Sequence, residues 1–209
     1  MNHNFVDSNN KGRLIAFGCS LTYGHGLKDC ISKKNGPGPY PSKYAWPSLL
    51  ADMLGRTCTN LGSPGSSNKR ICQTVMSTGF KKTDVVFINW SYIGRSCIIE
   101  ESNIIDLFLK GKGKLNSSFS RLSNNHDLVF MSNLYLDYIS LLLEKKKIKY
   151  YHLITDKQDF VLLKNSNVLK TEMQIIRQGH NRAKDNQHPN EDAHLEFATE
   201  VYKEISEGK

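Results

Sequence analysis

The stretch "RLIAFGCSLTYGHG", residues 13–26, is the part of the sequence that decides the fold class. A short apolar run ends at Gly18, and small polar residues follow it directly. A buried strand that gives way to Gly, Ser and Thr is typical of the carboxyl end of a strand in a parallel sheet, where ligand sites form. Ser20 stands at this position, either as a nucleophile or as an ordinary turn residue, and more distant parts of the chain must distinguish the two.

Apolar, strand-like runs alternate with amphipathic, helix-like segments along the sequence. Strands are predicted at 13–18, 57–62, 84–90 and 147–155, and helices at 45–55, 66–80, 127–147 and 190–205. The stretch "EESNIIDLFLKGKGK" at 100–114 predicts a short helix and a loop. Alternation of this kind predicts right-handed βαβ units and a parallel sheet covered on both faces. We therefore expect an α/β fold, a three-layer α/β/α sandwich with a central parallel sheet, as one domain over 1–209 with a flexible amino-terminal segment at 1–12.

Bulk properties narrow the class of protein and its partners. The sequence contains no apolar run near the ~20 residues needed to cross a bilayer, and its first residues lack a secretory signal. We therefore expect a cytoplasmic protein that does not bind membranes. Five cysteines without a CxxC pair predict free thiols rather than a disulfide framework or a zinc site. The net charge of +8 is diffuse apart from 110–114 and 144–149, so nucleic acid is not the expected partner.

A base for the serine is predicted near the carboxyl terminus, because a serine hydroxyl is a weak nucleophile until a neighbour takes its proton. In "DNQHP", His188 follows Asp185 by three residues and precedes a helix that Asn190 caps. A carboxylate at this spacing reaches the imidazole Nδ1–H, fixes the tautomer and stabilises the charged ring. Pro189 also restricts His188 to an extended backbone. The alternative interpretation of this pair is an ordinary surface cap.

Donors for a developing oxyanion are predicted in "NLGSPGSSN", residues 60–68, between the second strand and a helix. Gly65 can present its N–H to a ligand without a side chain in the way, and Ser20 can offer its own N–H. Taken alone, Gly65 is equally well a turn glycine. The serine, the glycine and the acid–base pair, in this order on a parallel sheet, favour one common site.

These blocks resemble those of the SGNH hydrolases, also called the GDSL esterase and lipase superfamily. The resemblance spans nearly the whole chain, with the first block at 18–22, the second at Asn60, Gly62 and Gly65, and the last at Asp185 and His188. It implies a flavodoxin-like sandwich and a cofactor-free hydrolase that cleaves an acyl or acetyl ester of a small molecule or glycan. By the same resemblance Ser20 is the nucleophile, His188 the base, Asp185 its orienting acid and Gly65 an oxyanion donor.

The third block departs from the family pattern. The family has Gly-Xaa-Asn-Asp after the third strand, and its asparagine side chain is a further oxyanion donor, whereas this chain reads "FINWSYIGRS" at 87–96. Asn89 and Ser91 are the candidates for that donor, although Asn89 is equally well a strand residue. Three other residues are candidates for contact with a substrate: Tyr23, His25 and Arg95.

Two alternatives to an esterase remain open at this point. The altered third block fits an SGNH-like binding or structural module with weakened catalysis, and a carbohydrate is a possible ligand for it. A metal site is the other alternative, and its four candidate ligands are Asp185, His188, Asp192 and His194.

Overall fold

The computed structural model describes residues 11–32, 36–101, 103–156 and 167–208. The segment predicted to be flexible, 1–12, lies almost entirely outside the described residues. No helix within the described ranges is both long and apolar enough to span a membrane.

The centre of the molecule is a four-stranded sheet in the order β2-β1-β3-β6. Strand β1 (Arg13–Phe17) pairs with β2 (Thr57–Asn60) on one side and with β3 (Val85–Trp90) on the other, and β3 pairs with β6 (Lys149–Ile154). All three pairings are parallel, so the carboxyl ends of the strands meet at one edge. The predicted central parallel sheet is confirmed.

Helices cover both faces of this sheet, because successive residues of its strands point to opposite sides. Leu14 and Ala16 face one core, which includes Trp46 and Phe197. Residues 15 and 17 face a second core, with the buried side of the longest helix. The predicted three-layer sandwich is therefore confirmed. The helices are α1 (Ser20–Tyr23), α2 (Trp46–Met53), α3 (Asn68–Met76), α4 (Lys114–Leu122), α5 (Asn125–Lys145), α6 (Met173–Gln178) and α7 (Glu191–Ser206).

The helix predicted within 100–114 is wrong, whereas the predicted loop is present between Phe108 and Lys114. Strands β4 (Arg95–Glu100) and β5 (Asn103–Phe108) form an antiparallel hairpin, separate from the central sheet. Ile98 and Ile99 pair across it with Ile105 and Ile104. β-Branched side chains gain from such cross-strand packing, and this gain depends on a partner strand that a short sequence window does not include.

Candidate active site

Ser20 lies immediately beyond β1, at the first position of the short helix α1. Its carbonyl accepts hydrogen bonds from the N–H groups of Gly24 (2.9 Å) and His25 (3.1 Å), which fold the chain into a tight turn. A Cβ atom at Gly18 would collide with the hydroxyl of Thr22, so this turn requires a glycine there. Ser20 is consequently held at the carboxyl edge of the sheet, with 7% of its surface exposed.

The loop after β2 packs directly against this serine turn. The Asn60 amide donates to the carbonyl of Thr22 (2.7 Å) and accepts from the N–H of Gly62 (2.9 Å). A Cβ atom at Gly62 would lie 2.7 Å from the backbone nitrogen of Tyr23, so a side chain there would push the loop away. These contacts bring the first two sequence blocks together at the sheet edge.

Asp185 and His188 form a hydrogen-bonded pair. His188 Nδ1 lies 2.5 Å from Asp185 Oδ2, and Asp185 Oδ1 accepts the N–H groups of Gln187 (2.9 Å) and His188 (3.0 Å). Asn186, between them, has a left-handed backbone with φ 56° that makes this tight turn. Burial by itself raises the pKa of Asp185, but these hydrogen bonds outweigh it, and the net pKa is below the usual value.

The carboxyl-terminal pair packs on the chain that follows Ser20. Gly26 has φ +90°, and a Cβ atom there would lie 2.7 Å from Asp185 Cγ. The N–H of Lys184 donates to the Gly26 carbonyl (3.2 Å). A glycine six positions after the serine therefore lets the carboxylate approach the backbone closely, and the two ends of the polypeptide meet.

His25 links the serine turn to the acid–base pair. Its backbone N–H bonds to Ser20, its Nε2 lies 3.9 Å from Asp185 Oδ2, and its ring centroid is 4.5 Å from that of His188. Two imidazoles therefore lie against one carboxylate. Within the described residues the Ser20 hydroxyl makes no hydrogen bond, to His188 or to any other group.

The surroundings of His188 keep its ring neutral near pH 7. Burial lowers the pKa of His188, and the hydrogen bond and negative charge of Asp185 oppose this effect. The nearby His25 and Arg177 lower the pKa further, and the net shift is downward. A neutral imidazole whose Nδ1–H is directed at a carboxylate can accept a proton at Nε2, as a general base requires.

Among solved structures, several esterases share this architecture at low sequence identity. A carbohydrate esterase family 2 enzyme with a carbohydrate-binding domain, from Corynascus thermopiles (Myceliophthora fergusii), matches with TM-score 0.64 and 14% identity, over 95% of this chain and 67% of that chain. The psychrotrophic esterase EstA from Pseudoalteromonas sp. matches with TM-score 0.56 and 12% identity, over 93% of this chain and 97% of that chain. The chain has the SGNH hydrolase fold.

A third SGNH-fold match is a carbohydrate esterase whose active site is described as displaying divergent catalytic and non-catalytic binding functions. Its TM-score is 0.56 at 12% identity, over 95% of this chain and 66% of that chain. No protein-family model matches the sequence, and no curated protein does. The similarity to solved structures therefore establishes the fold alone.

Two candidate oxyanion donors are backbone N–H groups that remain available. Neither Ser20 nor Gly65 donates its N–H to an acceptor within the described part of the chain. Gly65 adopts a left-handed backbone with φ +82°. A Cβ atom there would be 3.5 Å from Phe108 and 3.7 Å from Asp106, so the β4–β5 hairpin flanks the loop of the second block.

The two candidates for a third oxyanion donor are both buried. Asn89 lies within β3 and is fully buried; its Oδ1 accepts from Thr155 (3.2 Å), while its Nδ2 has no partner among the described residues. Ser91, the next candidate, is also fully buried, and its Oγ accepts a hydrogen bond from Arg95 (3.0 Å). Asn68 accepts the Ser91 N–H (2.7 Å) and holds this segment in place.

The remaining candidates for substrate contact make bonds inside the protein. The Tyr23 hydroxyl donates to the Gly38 carbonyl (2.7 Å) and so fixes the loop that follows α1. The Arg95 guanidinium lies 5.0 Å from the centroid of the Tyr92 ring, in addition to its bond with Ser91. Both side chains therefore have a structural role, whatever their contact with a substrate.

The four ligands of the alternative metal site are not brought together. His194 is buried in the core, where its Nδ1 accepts the N–H of Trp46 (3.2 Å), and Asp192 is exposed. The described residues contain a different cluster, His25, Asp185 and His188, whose ligand atoms lie within 4.8 Å of one another. Asp185 and His188 are already joined by a short hydrogen bond, an arrangement that fits a base and its orienting acid.

Arg177 is a residue of this site that sequence reasoning missed. Its Nη2 donates to the Gln187 carbonyl (2.8 Å), next to His188, and its Nη1 contacts Gln174 (3.5 Å). Gln174 in turn accepts from the Tyr92 hydroxyl (3.2 Å). No local motif marks Arg177, because its place depends on how α6 packs beside the loop that carries His188.

Proposed function

We propose that the protein is a serine hydrolase that cleaves an ester. Ser20 attacks the carbonyl carbon, and His188 Nε2 takes the hydroxyl proton and returns it to the leaving alcohol, which leaves an acyl ester on Ser20. A water molecule that gives its proton to His188 then cleaves this ester, releases the acid and restores Ser20. Asp185 holds His188 in the tautomer whose Nε2 is free. The N–H groups of Ser20 and Gly65 stabilise the oxyanion, with a third donor from Asn89 or Ser91.

The observation that carries this proposal is the docking of the Asp185–His188 pair on the turn that begins at Ser20. Gly26 and Asp185 are in close approach, and His25 contacts both the pair and the serine carbonyl. Proton transfer requires a heavy-atom distance of about 2.6–3.2 Å, and catalytic hydrogen bonds often tighten only with substrate bound. We propose that substrate binding closes the contact between Ser20 and His188.

The proposed substrate is an acyl or acetyl ester of a small molecule or a glycan. The fold is shared with carbohydrate esterases, which supports a glycan ester in particular. The chemistry itself needs no metal ion or organic cofactor, since nucleophile, base and oxyanion donors are all groups of this chain.

The test is labelling by a fluorophosphonate probe together with hydrolysis of short p-nitrophenyl esters. The parent chain is expected to react in both assays, and Ser20→Ala to lose labelling completely and hydrolysis by at least ~10³-fold. Ser63→Ala is the matched control, a half-buried serine of the neighbouring loop, and it should retain both. A folded parent chain without labelling or turnover overturns the proposal, and so does a fully active Ser20→Ala variant.

A second candidate is a carbohydrate-binding module with weakened catalysis, and the buried position of Asn89 favours it. Loss of one oxyanion donor reduces the rate by about 10²–10³-fold, so a site without the usual asparagine can bind better than it turns over. Calorimetry with acetylated and deacetylated oligosaccharides separates the candidates. The binding module predicts equal affinity for the parent and Ser20→Ala and no product from either.

A further inference from the structure

The outward face of α5 carries a stripe of exposed apolar side chains. Phe130 and Leu141 are each 66% exposed, and Leu134 and Tyr138 between them are 48% and 45% exposed. Spacings of three and four residues place all four on one side of the helix. The opposite side of the helix packs into the core through Leu136, Ile139 and Leu143. Helix α5 is therefore apolar on both sides, and the described residues of this chain cover only one of them.

The stripe, with the exposed Met131 at its edge, is symmetric about the middle of the helix except at Phe130, whose mirror position, Leu142, packs on the core. Counting outward from position 136, Leu134 mirrors Tyr138, and Met131 mirrors Leu141. The exposed Asp127, in the first turn, mirrors the exposed Lys145, in the last. Those two charges are eighteen residues apart, which is five turns of 3.6 residues, so they lie in line on the same side.

We propose that a second copy of this chain binds this stripe, with the two α5 helices antiparallel about a two-fold axis that crosses the exposed side at the level of position 136. An isologous interface requires a surface that complements itself, and the apolar pairs about position 136, with opposite charges at the two helix ends, meet this requirement. Leu134 then packs on the partner's Tyr138, and Asp127 pairs with the partner's Lys145. These charges favour the antiparallel over the parallel direction. In a parallel pair of α5 helices, Lys145 would lie beside the partner's Lys145, and the two positive charges would repel each other.

The first test is the mass of the full chain in solution. Sedimentation velocity at about 50 µM and 0.15 M salt, where charge repulsion is screened, should show a dimer for the parent chain. Leu134→Glu should be monomeric under the same conditions. Leu195→Glu, on α7, is the matched control: Leu195 is 49% exposed, against 48% for Leu134, and this variant should remain dimeric.

The second test exchanges the charges at the two ends of the stripe. Asp127→Lys and Lys145→Glu should each weaken the dimer about tenfold, and the double variant should restore it, because the exchanged pair attracts again. Both changes oppose the helix dipole, so an effect on helix stability alone would be worst in the double variant.

Three outcomes overturn the proposal. The first is a parent chain that is monomeric at every concentration, and the second is a double variant weaker than either single one. The third is a chain that stays monomeric but binds anionic lipid vesicles through the same stripe, with binding lost in Leu134→Glu. That result would show that the α5 stripe binds a membrane surface rather than a second copy of the chain.

Discussion

The protonation of His188 depends on the balance between a partner that favours its charged form and surroundings that oppose it. Asp185 raises the pKa of His188, whereas burial, His25 and Arg177 lower it, and the lowering prevails. The base is therefore expected to remain neutral, and competent, somewhat below pH 6.5, the ordinary value for histidine.

The pH profile of kcat/KM tests this balance. The acidic limb should have an apparent pKa below about 6.5, and Arg177→Gln should move it upward, since a nearby positive charge is removed. Arg177→Lys loses the planar guanidinium but keeps the positive charge, so the apparent pKa of its acidic limb should stay near that of the parent. Arg182→Gln is a control, because Arg182 on the same loop is exposed and solvent screens its charge. An unchanged limb in Arg177→Gln contradicts the electrostatic explanation.

Gly26 is the residue that admits Asp185 to the serine turn. A methyl group there would lie 2.7 Å from the carboxylate carbon, on a backbone with φ +90° that side chains rarely adopt. Gly26→Ala is expected to displace Asp185 and lower kcat/KM about 100-fold, as misplacement of a catalytic group by ~1 Å does. Gly79→Ala, with open space around the new methyl group, is the matched control and should be fully active. A fully active Gly26→Ala enzyme would show that the approach is dispensable.

At the scale of the element, α7 fixes the position of the loop that ends in His188 and Pro189. Asn190 caps this helix by accepting the N–H of Ala193 (3.1 Å), as the sequence predicted. The acidic first turn of α7 also reaches the loop after α1, since Glu191 accepts the N–H of Lys28 (3.0 Å). The helix therefore ties the acid–base pair to both neighbouring segments.

Removal of this cap should destabilise the whole chain by a measurable amount. Asn190→Ala is expected to lower the free energy of unfolding by about 1 kcal/mol and Tm by about 2–4 °C, because an N–H at the helix start loses its acceptor. Asn190→Asp keeps an acceptor and should retain the parent Tm. Thermal unfolding followed by circular dichroism measures both. Equal Tm values for all three proteins would mean that the cap contributes nothing.

At the scale of the whole molecule, two buried histidines make stability depend on pH. His152 accepts from the Trp90 indole N–H (3.1 Å) and lies 2.8 Å from the Ser140 hydroxyl, and burial lowers its pKa to about 3. Burial also lowers the pKa of His194 to about 3. Both rings stay neutral in the folded protein, because protonation would occur in a solvent-free core and, at His152, would break the bond from Trp90.

The free energy of unfolding should therefore fall as the pH falls from about 6.5 towards 3. In that window the unfolded chain binds protons that the folded chain excludes, at a loss of about 2 kcal/mol per histidine by pH 5. Urea unfolding at pH 7 and pH 5 measures this difference in the free energy of unfolding. In His152→Gln the difference between the two pH values should be smaller, and the stability at pH 7 should be lower than that of the parent. His126→Gln is the control, since His126 is exposed. Stability that is constant over this range contradicts the prediction.

Local sequence patterns specify only part of this structure. The alternation of strands and helices and the turn that joins Asp185 to His188 were predictable. Each depends on hydrophobic period or on hydrogen bonds between residues a few positions apart. The hairpin at 95–108 was not, because an isolated run of isoleucines fits a helix or a strand until a partner strand is present.

The order of residues along the chain specifies the layered α/β architecture and the chemical groups available at one edge of the sheet. Which of those groups meet depends on packing between distant segments: the approach of Asp185 to Gly26, the second imidazole of His25, and Arg177 beside the His188 loop. The difference lies in the range of the interactions. Secondary structure follows from neighbours along the chain, whereas a site built from both ends follows from close backbone approach between segments about 160 residues apart in sequence, which local pattern does not encode.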